Sequence, residues 1–186
     1  EYYGNKKMVE VENEIEEVCN KYGAYFLHNK SYIYENFVFI GTTLWSHIPH
    51  YARESVETKL KDHKMCLELT IDKNNELHQE CVDFLKNEIE TYKNDYNIII
   101  LSHHTPSVRG TSYYIFEKRL TNHAFSTDLS YLFSNIKLWM YGHTHFNNKN
   151  NNIMKERMYL VSNQRGYSKK IVRNYNKDLA ISLDFF

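Results

Sequence analysis

Two clusters of histidine in the second half of the chain each follow an apolar run, and imidazole is the side chain that most often binds metal ions. His103 and His104 come directly after one run, and His143 and His145 come after another across a single glycine. Short, continuous apolar runs of this kind are typical of strands covered on both faces. A loop that leaves the end of a buried strand is held by the sheet, so its side chains can be positioned for chemistry.

The two predicted strands, residues 98–101 and 138–141, should run parallel in one sheet. A helical segment is predicted between them, and parallel neighbours need a crossover connection of this kind. Both histidine loops then emerge at the same edge of the sheet. The sequence therefore predicts that His103, His143 and His145 converge as metal ligands.

Two kinds of metal site fit these residues. Three imidazoles could hold one zinc ion with an open position for water. Alternatively, they are half of a two-metal site for phosphoryl transfer, whose second half needs carboxylates. No Asp or Glu follows either strand in the sequence, so this choice stays open. We assign His104 to hydrogen bonding around the ligands rather than to a metal ion.

The remaining pattern is that of an α/β protein with a single domain over residues 1–186. An amphipathic helix is predicted over 11–22 with its apolar stripe in the core and Gly23 as its stop. A second is predicted over 76–92 with Asn74 or Asn75 as its cap and His78 in solvent. Strands are predicted over 24–27, 31–34, 37–44, 158–161 and 179–183, a short helix over 125–133, and an exposed loop over 108–122.

The amino-acid composition limits the possible functions but does not indicate a binding partner. The chain has 23 basic residues (Lys and Arg) and 23 acidic residues (Asp and Glu). It therefore has no excess positive charge that would favour sequence-independent nucleic-acid binding. Three widely spaced cysteines predict neither a disulfide framework nor a zinc site, and a reducing, cytoplasmic location is expected. No apolar stretch approaches the length of a membrane span. Arg109, Lys118 and Arg119 could meet an anionic substrate, although each is equally explained as a surface charge.

Several motifs resemble those of the calcineurin-like metallophosphoesterases. Residues 103–106 match the His-His-x-Pro motif of that family, and residues 142–145 match its Gly-His-x-His motif. Weaker similarities to a bacterial-type branch cover residues 41–45, 124–129 and 165–167. Together these segments extend over most of the chain.

The resemblance implies an αββα sandwich, of which this chain supplies the C-terminal half, and hydrolysis of phosphate mono- or diesters with two divalent metal ions (Mn, Fe or Zn). It assigns His103 and His143 to one ion and His145 to the other, and makes Arg165 a candidate for substrate contact beside Arg109. The family's Asp-x-His, Gly-Asp-x-x-Asp and Gly-Asn-His motifs have no counterpart here.

Residues 1–4 resemble the segment that comes directly after Gly-Asn-His in the family, so the proton-donating histidine is expected before Glu1. Residues 1–186 alone are then expected to bind metal weakly and to lack turnover. Members of this fold also serve as non-catalytic binding scaffolds, which is a further alternative.

Overall fold

The fold is described from a computed structural model that covers residues 6–149, 152–155 and 158–185. Residues 1–4, which carry part of the family resemblance, lie outside this range. The helices are α1 Met8–Tyr22, α2 Arg53–Lys59, α3 Asp62–Met65, α4 Ile71–Tyr92 and α5 Tyr114–Glu117. The strands are β1 Lys30–Tyr34, β2 Phe37–Thr42, β3 Asn97–Ser102, β4 Ile136–Met140, β5 Asn152–Lys155, β6 Met158–Val161, β7 Gly166–Tyr167 and β8 Lys170–Ile171. Short 3₁₀ helices span His50–Ala52, Leu120–Ala124, Ser130–Asn135 and Leu183–Phe185.

A six-stranded, mostly parallel sheet forms the centre of the fold, with the order β1-β2-β3-β4-β6-β5. The strands from β2 to β6 in this order are mutually parallel, whereas β1 and β5 are antiparallel edge strands. The β3–β4 pair aligns Ile100 with Trp139 and Leu101 with Met140. This confirms the predicted α/β class and the predicted parallel pairing of the two strands that precede the histidines.

Both faces of the sheet are apolar because alternate residues of a strand point to opposite sides. One face, which includes Ile98, Ile100 and Trp139, belongs to the same buried cluster as Leu85 and Ile89 of α4. The other face, which includes Ile99, Leu138 and Val161, is covered in part by Leu179, Ile181 and Leu183. Burial on both sides explains why β3 and β4 are continuous apolar runs in the sequence.

The C-terminal segment 179–183 is predicted to be a strand from its alternating pattern, and this prediction is wrong. Its three alternating apolar side chains do face the sheet, but they pack on top of it instead of pairing at an edge. Alternation fixes which side of a segment is apolar and does not supply a hydrogen-bonded neighbour. The predicted strand over 158–161 is confirmed as β6.

The predicted β-hairpin is confirmed by the antiparallel pairing of β1 with β2, but residues 24–27 do not form a strand. They lie directly against Gly41 instead. A Cβ atom on Gly41 would overlap the carbonyl oxygen and the Cβ of Leu27. The glycine in this strand therefore marks a close approach of two backbone segments.

Helix α1 ends as predicted, with Gly23 in the left-handed conformation at φ +69°. The prediction that its apolar stripe is buried in the core is wrong. None of its residues is buried, and Val18 and Tyr22 are 56% and 74% exposed. An ion pair of Glu16 with Lys30 and a contact of 3.3 Å between Glu12 Oε1 and His28 Nε2 connect this helix to the hairpin region. The helix is thus attached by these polar contacts and by the partly buried Met8, which packs against the core.

Helix α4 begins earlier than predicted, and its cap is Thr70, whose hydroxyl accepts a hydrogen bond from the Lys73 amide. The prediction that Asn74 or Asn75 forms the cap is wrong. The side-chain amide of Asn74, through Nδ2, instead donates a hydrogen bond to the Ser46 carbonyl at 2.7 Å.

His78 on the same helix is predicted to lie in solvent, and this is also wrong, because only 7% of it is exposed. Its Nδ1 donates a hydrogen bond to the carbonyl of Trp45. Burial lowers the pKa of His78, and this carbonyl partly opposes the shift. A polar side chain off the apolar stripe can be buried where the facing loop supplies an acceptor.

The connection from β3 to β4 differs from the predicted helix over 125–133. Thr105 and Ser126 instead form an isolated parallel bridge, so the chain is extended there, and a 3₁₀ helix follows at Ser130–Asn135. The predicted loop over 108–122 is largely exposed, but it includes α5 and the start of a second 3₁₀ helix. No helix in the described part of the chain has the length and apolar character needed to cross a bilayer.

Candidate metal centre

The carboxyl ends of β3 and β4 place the two histidine clusters side by side. The Gly142 amide donates a hydrogen bond to the His103 carbonyl at 3.0 Å, which joins the two loops directly. The His104 amide donates to the Thr43 carbonyl at 3.0 Å, just past the end of β2. Three adjacent parallel strands therefore fix the backbone that carries the imidazoles.

His103, His104 and His143 form a compact group of potential ligands. Their ligand nitrogens all lie within 4.8 Å of one another. The ring centroids of His104 and His143 are 4.1 Å apart in a stacked arrangement, and those of His103 and His143 are 4.7 Å apart. Nitrogens that share a tetrahedral zinc ion, at bonds of about 2.0–2.1 Å, lie about 3.4 Å apart. The three ligand nitrogens would therefore have to close by up to about 1.4 Å to hold one ion.

His145 lies outside this group of three. Its ring packs edge-on against Tyr167, with the centroids 4.7 Å apart. Its backbone amide donates to Gln164 Oε1 at 2.7 Å, and Gln164 Nε2 donates to Thr144 and to the Phe146 carbonyl at 3.0 and 3.1 Å. One glutamine therefore anchors the whole loop that carries the second histidine of the Gly-His-x-His motif.

The backbone around His143 is bent sharply toward its neighbours. His143 has φ +65°, and the Thr144 amide donates to the Gly142 carbonyl at 2.8 Å, which makes His143 the centre of a three-residue turn. A left-handed conformation costs a non-glycine residue about 1–2 kcal/mol. His145 also has a positive φ, of +48°. Local strain of this kind concentrates at functional sites, where the surrounding structure holds it.

Buried polar contacts hold His104. Only 4% of it is exposed, and its Nδ1 is hydrogen-bonded to Ser46 Oγ at 2.9 Å. Ser102 Oγ donates to the His104 carbonyl at 2.6 Å and accepts from Trp139 Nε1 at 2.8 Å. These contacts orient the His104 ring, and its predicted role around the ligands stays a prediction. The structure also brings its ring into the ligand group, which the sequence did not indicate.

The site favours neutral imidazoles. The pKa of His143 is lowered to about 3, mainly by burial and also by the neighbouring His103, although Asp62 and a hydrogen bond to the Ala124 carbonyl partly oppose the shift. Burial also lowers the pKa of His104 well below its ordinary value, with smaller contributions from His143 and His103. Unprotonated imidazole is the form that binds metal ions.

Three residues near the site were not predicted from the sequence. Asp62, in α3, is close enough to influence the charge of His143, and it lies in a segment without a clear period. Ser46 and Gln164 are ordinary polar residues whose contacts to the histidines depend on the fold. Of the predicted substrate contacts, Arg109 and Arg165 are both exposed, and their roles stay predictions.

A cavity of about 450 Å³ opens next to His103. Thr42, Ser102 and Met140 contribute the ends of three neighbouring strands to its wall, and the segment around Leu27 and His28 closes another side. Its lining is mostly apolar with a few polar groups, as is common in ligand sites. The sheet edge that carries the histidines thus also has room for a small molecule.

Comparison with known proteins identifies the fold but not the family. No family model matches the chain. The uncharacterized protein L509 of Acanthamoeba polyphaga mimivirus is 28% identical over 205 residues, which cover 99% of this chain and 71% of the viral protein. The crystal structure of phosphopantetheinyl hydrolase from Mycobacterium tuberculosis superimposes with a TM-score of 0.62 at 9% identity. That match covers 90% of this chain and 66% of the hydrolase, so the two proteins share a fold.

Proposed function

We propose that this chain carries the histidine ligands of a calcineurin-like metallophosphoesterase, which hydrolyses phosphate mono- or diesters. The observation that carries the proposal is the group formed by His103, His104 and His143, whose ligand nitrogens lie within 4.8 Å of one another at the ends of adjacent parallel strands. The shared fold with a phosphopantetheinyl hydrolase supports a phosphoester substrate. The two motifs in the order found here support the same family.

The donor set fits a divalent transition metal, because neutral imidazole suits Mn, Fe and Zn. In the two-ion arrangement that the family resemblance implies, His103 and His143 would hold one ion and His145 would contribute to the other. Bound divalent cations supply positive charge next to the phosphoryl oxygens of the substrate. The chain's own contribution is to orient the rings: His143 donates to the Ala124 carbonyl, and His104 is fixed by Ser46.

The geometry also favours a second candidate, a mononuclear zinc hydrolase. Three imidazoles with one open position are a known catalytic arrangement for zinc, and here His104 rather than His145 would complete the set. The two candidates differ in the third ligand. Substituting His104 with alanine should abolish binding of the ion in the mononuclear site, whereas in the two-ion site His145 is the residue whose loss removes one of two ions.

Hydrolysis of p-nitrophenyl phosphate and of bis(p-nitrophenyl) phosphate tests the proposal. The assay uses the protein expressed from its complete coding sequence, with Mn²⁺ or Zn²⁺ added. We expect metal-dependent turnover that falls at least 100-fold in His103→Ala and in His143→Ala. The matched control is His50→Ala, an exposed histidine on a 3₁₀ helix, which should keep full activity.

Two results would count against the phosphoesterase. Equal turnover in His50→Ala and His103→Ala would show that the cluster is not the active site. Stable capture of a protein partner, unchanged by His143→Ala and without any turnover, would instead favour the non-catalytic scaffold.

A further inference from the structure

An aromatic patch formed by Tyr113, Phe116 and Phe146 lies next to the loop that carries His145. Phe146 directly follows His145 in the chain. The ring of Tyr113 meets that of Phe146 edge-on with the centroids 5.0 Å apart, and it meets Phe116 with the centroids 6.0 Å apart. The loop after the first histidine pair thereby reaches the loop that carries the second pair.

This aromatic patch remains open to solvent. Tyr113 is 42% exposed and Phe116 is 41% exposed, although each contacts another ring. Tyr114 and Ile115, between them in sequence, are 68% and 62% exposed. Contiguous exposed apolar side chains are typical of surfaces that bind a partner or a ligand.

Two cationic side chains lie on aromatic rings of this loop. Arg119 lies over the ring of Phe116, 4.9 Å from its centroid, and Lys118 lies 4.5 Å from the centroid of Tyr114. Arg109 is exposed at the start of the same loop. The one acidic residue of this loop, Glu117, accepts a hydrogen bond from the Gly110 amide at 2.6 Å. A ligand of this surface should therefore be both aromatic and anionic.

We propose that the aromatic patch binds the base of a nucleotide whose phosphate lies at the histidine cluster. A nucleobase offers a planar face for stacking on aromatic rings, polar edges for hydrogen bonds and an attached phosphate that cations attract. An alkyl phosphate carries the same negative charge but has no planar ring that could stack on the aromatic patch. The proposal rests on the proposed function for the placement of the phosphate, and it narrows the substrate class to nucleotides.

Fluorescence titration with etheno-AMP, a fluorescent analogue of AMP, measures this binding directly. We expect binding that AMP displaces at least tenfold more effectively than glycerol phosphate. Tyr113→Ala should weaken it roughly tenfold, since each stacked ring contributes appreciably to affinity. Tyr113→Phe keeps the ring and should bind nearly as well as the wild type. The matched control is Tyr131→Ala, a tyrosine that is 60% exposed on the 3₁₀ helix Ser130–Asn135.

The titration is run in MnCl₂ and again in EDTA, so that this inference and the proposed function can fail separately. Preference for AMP over glycerol phosphate that persists in EDTA supports the base site even where no metal binds. Equal displacement by the two phosphates would overturn the inference. So would equal affinities in Tyr113→Ala and Tyr131→Ala, with circular dichroism confirming that both variants are folded.

Discussion

Ser102 connects the interior of the sheet to the histidine loop, and its removal should have a large and measurable cost. Its hydroxyl donates to the His104 carbonyl at 2.6 Å and accepts from Trp139 Nε1 at 2.8 Å. Trp139 is fully buried, so Ser102→Ala leaves its indole N–H without an acceptor. An unsatisfied buried donor costs about 1–3 kcal/mol, and the second lost hydrogen bond adds about 1 kcal/mol. We therefore expect the free energy of unfolding to fall by about 2–4 kcal/mol.

Urea denaturation followed by circular dichroism measures this change. With a slope of about 2 kcal/mol/M, the midpoint should fall by about 1–2 M. The indole penalty should vanish in a Trp139→Phe background, where Ser102→Ala should cost only about 1 kcal/mol. Ser130→Ala, at an exposed serine, is the control and should change little. A midpoint shift below about 0.25 M, or equal costs in both backgrounds, would refute this reasoning.

Two further predictions concern the loop and the protonation state of the site. Gln164→Ala removes three hydrogen bonds from the loop around His145 and should weaken metal binding about 10–100-fold, as measured by calorimetry, while Gln79→Ala on the outer face of α4 should not. In EDTA, stability should fall as the pH drops below about 6.5, because the unfolded chain then binds a proton that the folded chain excludes at His143, whose pKa is lowered to about 3. This difference in proton binding lowers the free energy of unfolding by about 2 kcal/mol between pH 7 and pH 5. The variant His143→Gln should lose that part of the pH dependence in urea denaturation.

The strands that hold the site could be predicted because their environment is visible in their composition. Residues buried on both faces of a parallel sheet must be apolar throughout, so β3 and β4 were recognisable, and their shared direction placed the histidine loops at one edge. Sequence could not assign the third member of the group. Whether His104 or His145 faces His143 depends on the turn centred on His143 and on contacts to Ser46 and Gln164, which come from distant parts of the chain.

Amphipathic patterns were less informative about what an element contacts. The stripe of α1 predicted a helix correctly, yet none of its residues is buried, because periodicity does not identify a partner. The alternating segment 179–183 likewise packs on the sheet without joining it. His78 shows the reverse case, since a polar residue became buried once the Trp45 carbonyl was available as an acceptor.

Metal binding to the histidine cluster is the central claim, and equilibrium dialysis followed by elemental analysis tests it most directly. The protein expressed from its complete coding sequence is dialysed against Mn²⁺ or Zn²⁺ as the wild type and as His103→Ala, His143→Ala and the control His50→Ala. We predict that wild type and control bind the ion equally and that both cluster variants lose it. Equal metal content in all four proteins would contradict the account, because the convergence of these imidazoles would then have no part in binding.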